Sequence, residues 1–210
     1  MKTISLLIFF ISSTISQILL AERFCTYTTY KWNTLERKAV DFKQVKHLYS
    51  QLKEYEIDKV TGCTVCQEDQ IELKIGTLKL TKICHIFSRE LQQQLSKLYS
   101  QGLPILKLVG YRVGMTKGEI DSFGNRSQFS NHSFGIALDI NDEQNGLYDQ
   151  CIHFNQQCRL IKGGEWNADQ IGSLSADSET VQLMKQLGFK WGGEIQGKQK
   201  DFMHFSPTGY

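Results

Sequence analysis

Net charge is the first thing this chain lacks: 24 lysines and arginines stand against 22 aspartates and glutamates over 210 residues. No broad basic field is therefore available to recruit nucleic acid or anionic lipid, and any charged partner has to be recognised locally. Internal repeats and low-complexity tracts are also missing, which excludes a repeat architecture. The Cys63-Thr64-Val65-Cys66 segment has no second Cys-x-x-Cys to complete a zinc knot, and no thioredoxin-like context surrounds it.

What is present suits one globular domain with a sizeable core. Met1-Lys2-Thr3, the apolar run Leu6 to Ile11 and the Ser/Thr-rich residues after it read as a secretory signal over residues 1–21. Cleavage after Ser16 or after Ala21 fits, and an uncleaved anchor from Ile4 to Ala21 is the alternative. Export makes the six cysteines candidates for disulfides. The economical pairing joins Cys63 with Cys66 and Cys151 with Cys158, leaving Cys25 for Cys84. Two sequons, at Asn125 and Asn131, flank or enter the segment that carries the chemistry; a glycan on Asn131 would crowd it, which favours a compartment such as a bacterial periplasm.

Patterning divides the rest into an N-terminal extension, residues 22–104, and a core, residues 105–210. Val45, Leu48, Tyr49 and Leu52 stand at helical spacing and predict an N-terminal helix over Val40 to Leu52. Ile71, Leu73 and Ile75, then Gly76-Thr77, then Leu78, Leu80 and Ile83 predict a hairpin. Ser88 is placed to cap a helix carrying Leu91, Leu95, Leu98 and Tyr99, ended by Gly102 and Pro104. A strand is expected from Ile105 to Arg112, a polar loop from Gly114 to Ser133, and a strand from Phe134 to Ile140 that turns Ala137 and Asp139 to one face. Residues 141–173 read as a polar insertion pinned by Cys151 and Cys158. Asp177 or Ser178 caps a last helix with Val181, Met184 and Leu187, stopped at Gly188, and a strand follows over Asp201 to Phe205.

His132 and Asp139 together with the distant His204 supply two imidazoles and a carboxylate, the donor set of a catalytic zinc that keeps one position open. Taken singly each has an ordinary reading: His132 a hydrogen-bonded histidine, Asp139 a turn residue, Asp201 a solvated charge. His47, His85 and His153 lack such company and read as structural or surface residues.

The three motifs Ser130-x-His132-x-x-Gly135-x-Ala137-x-Asp139, Gly188-Phe189-x-Trp191-Gly192-Gly193 and Asp201-x-x-His204-Phe205 together resemble zinc peptidases that include D-alanyl-D-alanine carboxypeptidases and phage L-alanyl-D-glutamate endopeptidases. The likeness covers about residues 105–206 and leaves the extension and the cysteines outside it. It implies zinc ligation by His132, Asp139 and His204, and a catalytic base at Asp201. The aspartate there, rather than glutamate, leans toward the endopeptidase branch. The Gly110-Tyr111-Arg112 segment resembles the family's arginine-bearing strand end, so Arg112 is expected at the oxyanion or a substrate carboxylate, with Arg126 as its competitor. Trp191 reads equally as a cleft wall or a buried tryptophan. The expectation is an exported, monomeric α+β zinc peptidase, its small antiparallel sheet carrying one zinc and flanked by helices. Its partner would be a peptidoglycan stem peptide, not nucleic acid or, after cleavage, a membrane. A zinc- or peptidoglycan-binding module without peptidase activity is the alternative.

Overall fold

The computed structural model describes residues 22–209. The expected leader lies outside the described residues, and no described helix is long and apolar enough to cross a membrane. The chain is mixed α+β. Its elements are β1 (Phe24–Asn33), β2 (Lys38–Leu48), β3 (Gln70–Leu73), β4 (Thr81–Cys84), α1 (His85–Ser100), β5 (Leu108–Val109), β6 (Met115–Ile120), β7 (Arg126–Phe129), β8 (Leu138–Ile140), β9 (Leu147–Asp149), β10 (Arg159–Lys162), α2 (Glu179–Gln186), β11 (Lys190–Trp191), β12 (Gln199–Asp201) and β13 (His204–Ser206).

Among the described residues four small sheets result, in the orders β2-β1-β6-β7, β3-β4, β10-β9-β12 and β11-β13-β8-β5. The last is antiparallel throughout and carries Asp139 and His204. In it His204 stands opposite Asp139, and Phe205 opposite Leu138. Strand alternation therefore sends Asp139 and His204 to one face while Leu138, Ile140 and Phe205 enter the core on the other. Leu91, Leu95 and Leu98 of α1 and Val181 and Met184 of α2 cover that apolar face. The same core takes Leu73, Ile75 and Ile83 from the β3–β4 region, so it runs across position 104 without a break.

The expected N-terminal helix is instead the strand β2, paired along β1, followed by a 3-10 turn at Tyr49–Gln51. Val45 from the strand, Tyr49 from the turn and Leu52 beyond it all reach one apolar cluster, which reproduces helical spacing without a helix. The β-prone run Thr26-Tyr27-Thr28-Thr29-Tyr30 of β1 offers the partner that decides the matter. The β3–β4 hairpin forms as expected. Helix α1 begins at His85 rather than after Ser88, whose Oγ donates to the His85 carbonyl inside the first turn. Of the strand expected over Ile105 to Arg112 only Leu108 and Val109 join a ladder. The Asn141 side chain takes the amides of Leu106 and Lys107, while Gly110 and Tyr111 donate to Thr81 Oγ1 and the Lys82 carbonyl.

The polar stretch from Gly114 to Ser133 is a hairpin, β6–β7, rather than a loop. Its tip is held to the first hairpin, with the Thr34 amide donating to the Gly124 carbonyl at 2.8 Å. In the insertion the Cys151–Cys158 bridge forms as expected, while the pairing of β9 with β10 beside it goes beyond that expectation.

The other disulfides correct the economical pairing: Cys25 joins Cys66, and Cys63 joins Cys84. Cys63 and Cys66 belong to two different apolar clusters, one with Cys84 and Ile136, the other with Cys25 and Tyr27, so their short segment links two packings instead of closing on itself. Because Cys63–Cys84 closes a separation of 21 residues, removing it frees more of the unfolded chain than a local bridge would. The double substitution Cys63→Ser with Cys84→Ser is expected to lower unfolding free energy by about 2–4 kcal/mol, read from the urea midpoint. An unchanged midpoint would contradict this connectivity.

Candidate metal centre

Three elements deliver three donors to one point. His132 sits on a 3-10 turn, Asn131–Phe134, that ends at Gly135 in the left-handed region (φ 64°). A side chain at Gly135 would place its Cβ 1.9 Å from Gln70 Oε1 and 2.7 Å from the Cys84 amide, so only glycine allows the turn to lie against that wall. Asp139 comes from β8 and His204 from β13, locked opposite each other by the ladder. All three residues are buried, and their donor atoms lie within 4.8 Å of one another.

A single oxygen is the focus. Asp139 Oδ1 is faced by His132 Nε2 at 3.0 Å and by His204 Nδ1 at 3.1 Å. His132 Nδ1 stands 2.8 Å from the Gly110 carbonyl, which can only accept, so that nitrogen carries the ring proton. Burial pushes His132 toward its neutral form, and neutral His132 then has no second proton: it turns a lone pair toward a carboxylate. Burial on its own would raise the Asp139 carboxyl, yet it is held well below the usual carboxylate range by the charge that the His132 and His204 rings bear when protonated and the hydrogen bonds they then donate. Neutral imidazole and ionised carboxylate are the forms that bind a metal. Tetrahedral zinc with bonds of roughly 2.0–2.1 Å would separate its ligand atoms by about 3.3 Å, close to the 3.0 and 3.1 Å between Asp139 Oδ1 and the two ring nitrogens. The donor set and its geometry thus fit a dication, and the second nitrogen of His132 has the backbone partner expected around such a site.

Arg112 Nη2 forms an ion pair with Asp139 Oδ2 at 3.5 Å, and its side chain remains 31 % exposed, so it borders both the centre and solvent. Arg126, the competitor, donates instead to the Gly118 carbonyl within its own hairpin. Asp201 is buried at the end of β12, and the Phe202-Met203 turn carries the chain from that strand to His204 in another sheet. The expected single strand over Asp201 to Phe205 is therefore two strands. A Cβ on Gly192 would fall 2.2 Å from the Asp201 carbonyl oxygen and 3.0 Å from its Cβ, which accounts for glycine after Trp191. Trp191 is buried and donates to the Phe202 carbonyl at 2.8 Å, yet it also lines a cleft of about 600 Å³ with Lys190, Gly192, Ile195 and His204. Both readings of this tryptophan hold at once.

Residues that sequence reasoning passed over also shape the site. Trp166, from the insertion, stacks on Phe202 with ring centroids 4.8 Å apart and supports the turn between Asp201 and His204. The Gly110 carbonyl leaves no trace in residue type, since any residue carries one. His47 pairs with buried Glu56 away from the centre, and His153 is exposed.

Comparison with curated proteins and with solved structures gave no match. A family model did match, over the stretch that bears His132, Asp139, Asp201 and His204, while Arg112 and the N-terminal extension lie before it. Residues 124–207 match the model of the family described as D-alanyl-D-alanine carboxypeptidase.

Proposed function

We propose that this protein is an exported zinc peptidase that hydrolyses an amide bond in peptidoglycan stem peptides, as a D-alanyl-D-alanine carboxypeptidase or an L-alanyl-D-glutamate endopeptidase. The observation that carries the reading is Asp139 Oδ1 between two imidazole nitrogens, His132 Nε2 and His204 Nδ1, with the other nitrogen of the His132 ring committing its proton to Gly110. The family match supplies the substrate class. Three disulfides fit an oxidising, extracytoplasmic setting.

His132, Asp139 and His204 would hold the ion. When bound, zinc supplies Lewis acidity, bringing proton loss from water toward neutral pH and polarising the amide carbonyl. Asp201 would accept the proton of the attacking water and return it to the leaving amine. Arg112 would stabilise the oxyanion of the tetrahedral adduct or hold a substrate carboxylate bidentately. The cleft that opens at His204 gives the peptide a place to lie. No side chain becomes acylated on this route, because water attacks directly.

Purified muropeptides incubated with the zinc-loaded protein and analysed by mass test the proposal. Loss of one D-alanine marks carboxypeptidase action, and separation of L-alanine from D-glutamate marks endopeptidase action. Zinc retention with intact muropeptides would overturn the peptidase reading in favour of a binding module.

A further inference from the structure

We propose that Asn131 is a positioning residue for the metal centre: its carboxamide clasps the turn bearing His132 to the strand bearing His204 and sets the separation of their ring nitrogens. The inference rests on the reading of His132, Asp139 and His204 as metal ligands. Two of those three are already held relative to each other by the β8–β13 ladder, where Asp139 and His204 are direct partners. His132 is different. It stands on a separate 3-10 turn, so its distance from the other two depends on what joins that turn to the sheet.

The Asn131 side chain makes that join directly. Its Nδ2 donates to Ser206 Oγ at 3.0 Å and to the Gly209 carbonyl at 2.6 Å, using both amide protons. Ser206 is fully buried on β13, two residues after His204, and its Oγ donates to the same Gly209 carbonyl at 2.7 Å. The directions are consistent: the hydroxyl gives its proton to Gly209 and accepts from Asn131 through a lone pair. Asn131 Oδ1 meanwhile faces Lys117 Nζ at 3.4 Å, and the Asn131 carbonyl accepts the Ile136 amide at 3.2 Å, so both ends of the residue are fixed. A glycan at the Asn131 sequon would have to attach through the nitrogen that makes the clasp.

The clasp sits outside the donor set, and the outer partners of metal ligands typically change metal affinity by about 10- to 100-fold when removed. Asn131→Ala and Ser206→Ala open the clasp from opposite ends, and each is expected to weaken zinc binding by about that factor. Asn131→Asp separates geometry from charge. It keeps the size and adds a negative group beside a dication, which by charge alone would tighten binding, but it removes the amide donor that reaches both Ser206 and Gly209. Weaker binding by this variant is expected if position governs.

Affinity is to be measured by competition with a chromogenic chelator, and coordination by the visible spectrum of the cobalt-substituted protein, which the variants are expected to shift. Variants that melt earlier but keep wild-type zinc affinity and the wild-type cobalt spectrum would show a merely structural residue and overturn the proposal. Wild-type protein that binds no zinc would instead overturn the metal reading itself, so the two failures are told apart by the wild-type measurement alone.

Discussion

Asp139→Ala is expected to abolish stoichiometric zinc and to lower muropeptide cleavage by on the order of 10³-fold or more. That factor corresponds to several kcal/mol of lost charge stabilisation at about 1.4 kcal/mol per decade. One Asp139 carboxylate oxygen serves both imidazoles, and the other oxygen meets Arg112. Removing the carboxylate leaves two imidazoles and a guanidinium facing the same space, with no negative charge to offset a dication. The measurement is metal content by elemental analysis beside cleavage rate. A variant that keeps one zinc per chain and full activity would remove the centre from consideration. Chelation provides a parallel readout, since an ion present at 1,000 times its Kd stabilises the fold by about 4 kcal/mol. Melting of the wild type should fall on adding chelator, and that of Asp139→Ala should not move.

Asp201→Asn is expected to do the opposite to the metal and much the same to the rate. The amide is isosteric, so zinc should stay bound, while kcat falls by about 10²- to 10⁴-fold, the range for loss of a positioned general base. The side chain is buried and its backbone is pressed between Gly192 and the ladder partner Leu147, so little room exists for it to be replaced by a neighbour. The pH profile gives the second readout: the acidic limb attributed to protonation of the base should vanish in the variant. Unchanged kcat with zinc retained would assign the proton transfer to another group.

Some features were legible because they depend on residue type at short range. The β3–β4 hairpin, the two helices and the Cys151–Cys158 bridge follow from local apolar spacing, turn residues and a short loop. Other expectations failed where the deciding partner was distant in sequence. Val45, Tyr49 and Leu52 keep a helical rhythm, yet β1 was available to pair and a strand formed. Polar Gly114 to Ser133 became a hairpin whose tip bonds to Thr34, a residue 90 positions upstream of Gly124 that no local pattern announces.

Alone, the sequence determined which side chains could act as metal donors, because donor type is a property of the residue, and His132, Asp139 and His204 do converge. Tertiary structure decided the rest: that Arg112 and not Arg126 reaches Asp139, that Cys63 and Cys66 part to separate partners, and that Asp201 and His204 lie on different sheets. Each of those depends on distances between segments far apart along the chain, which packing of the core sets and residue spacing does not.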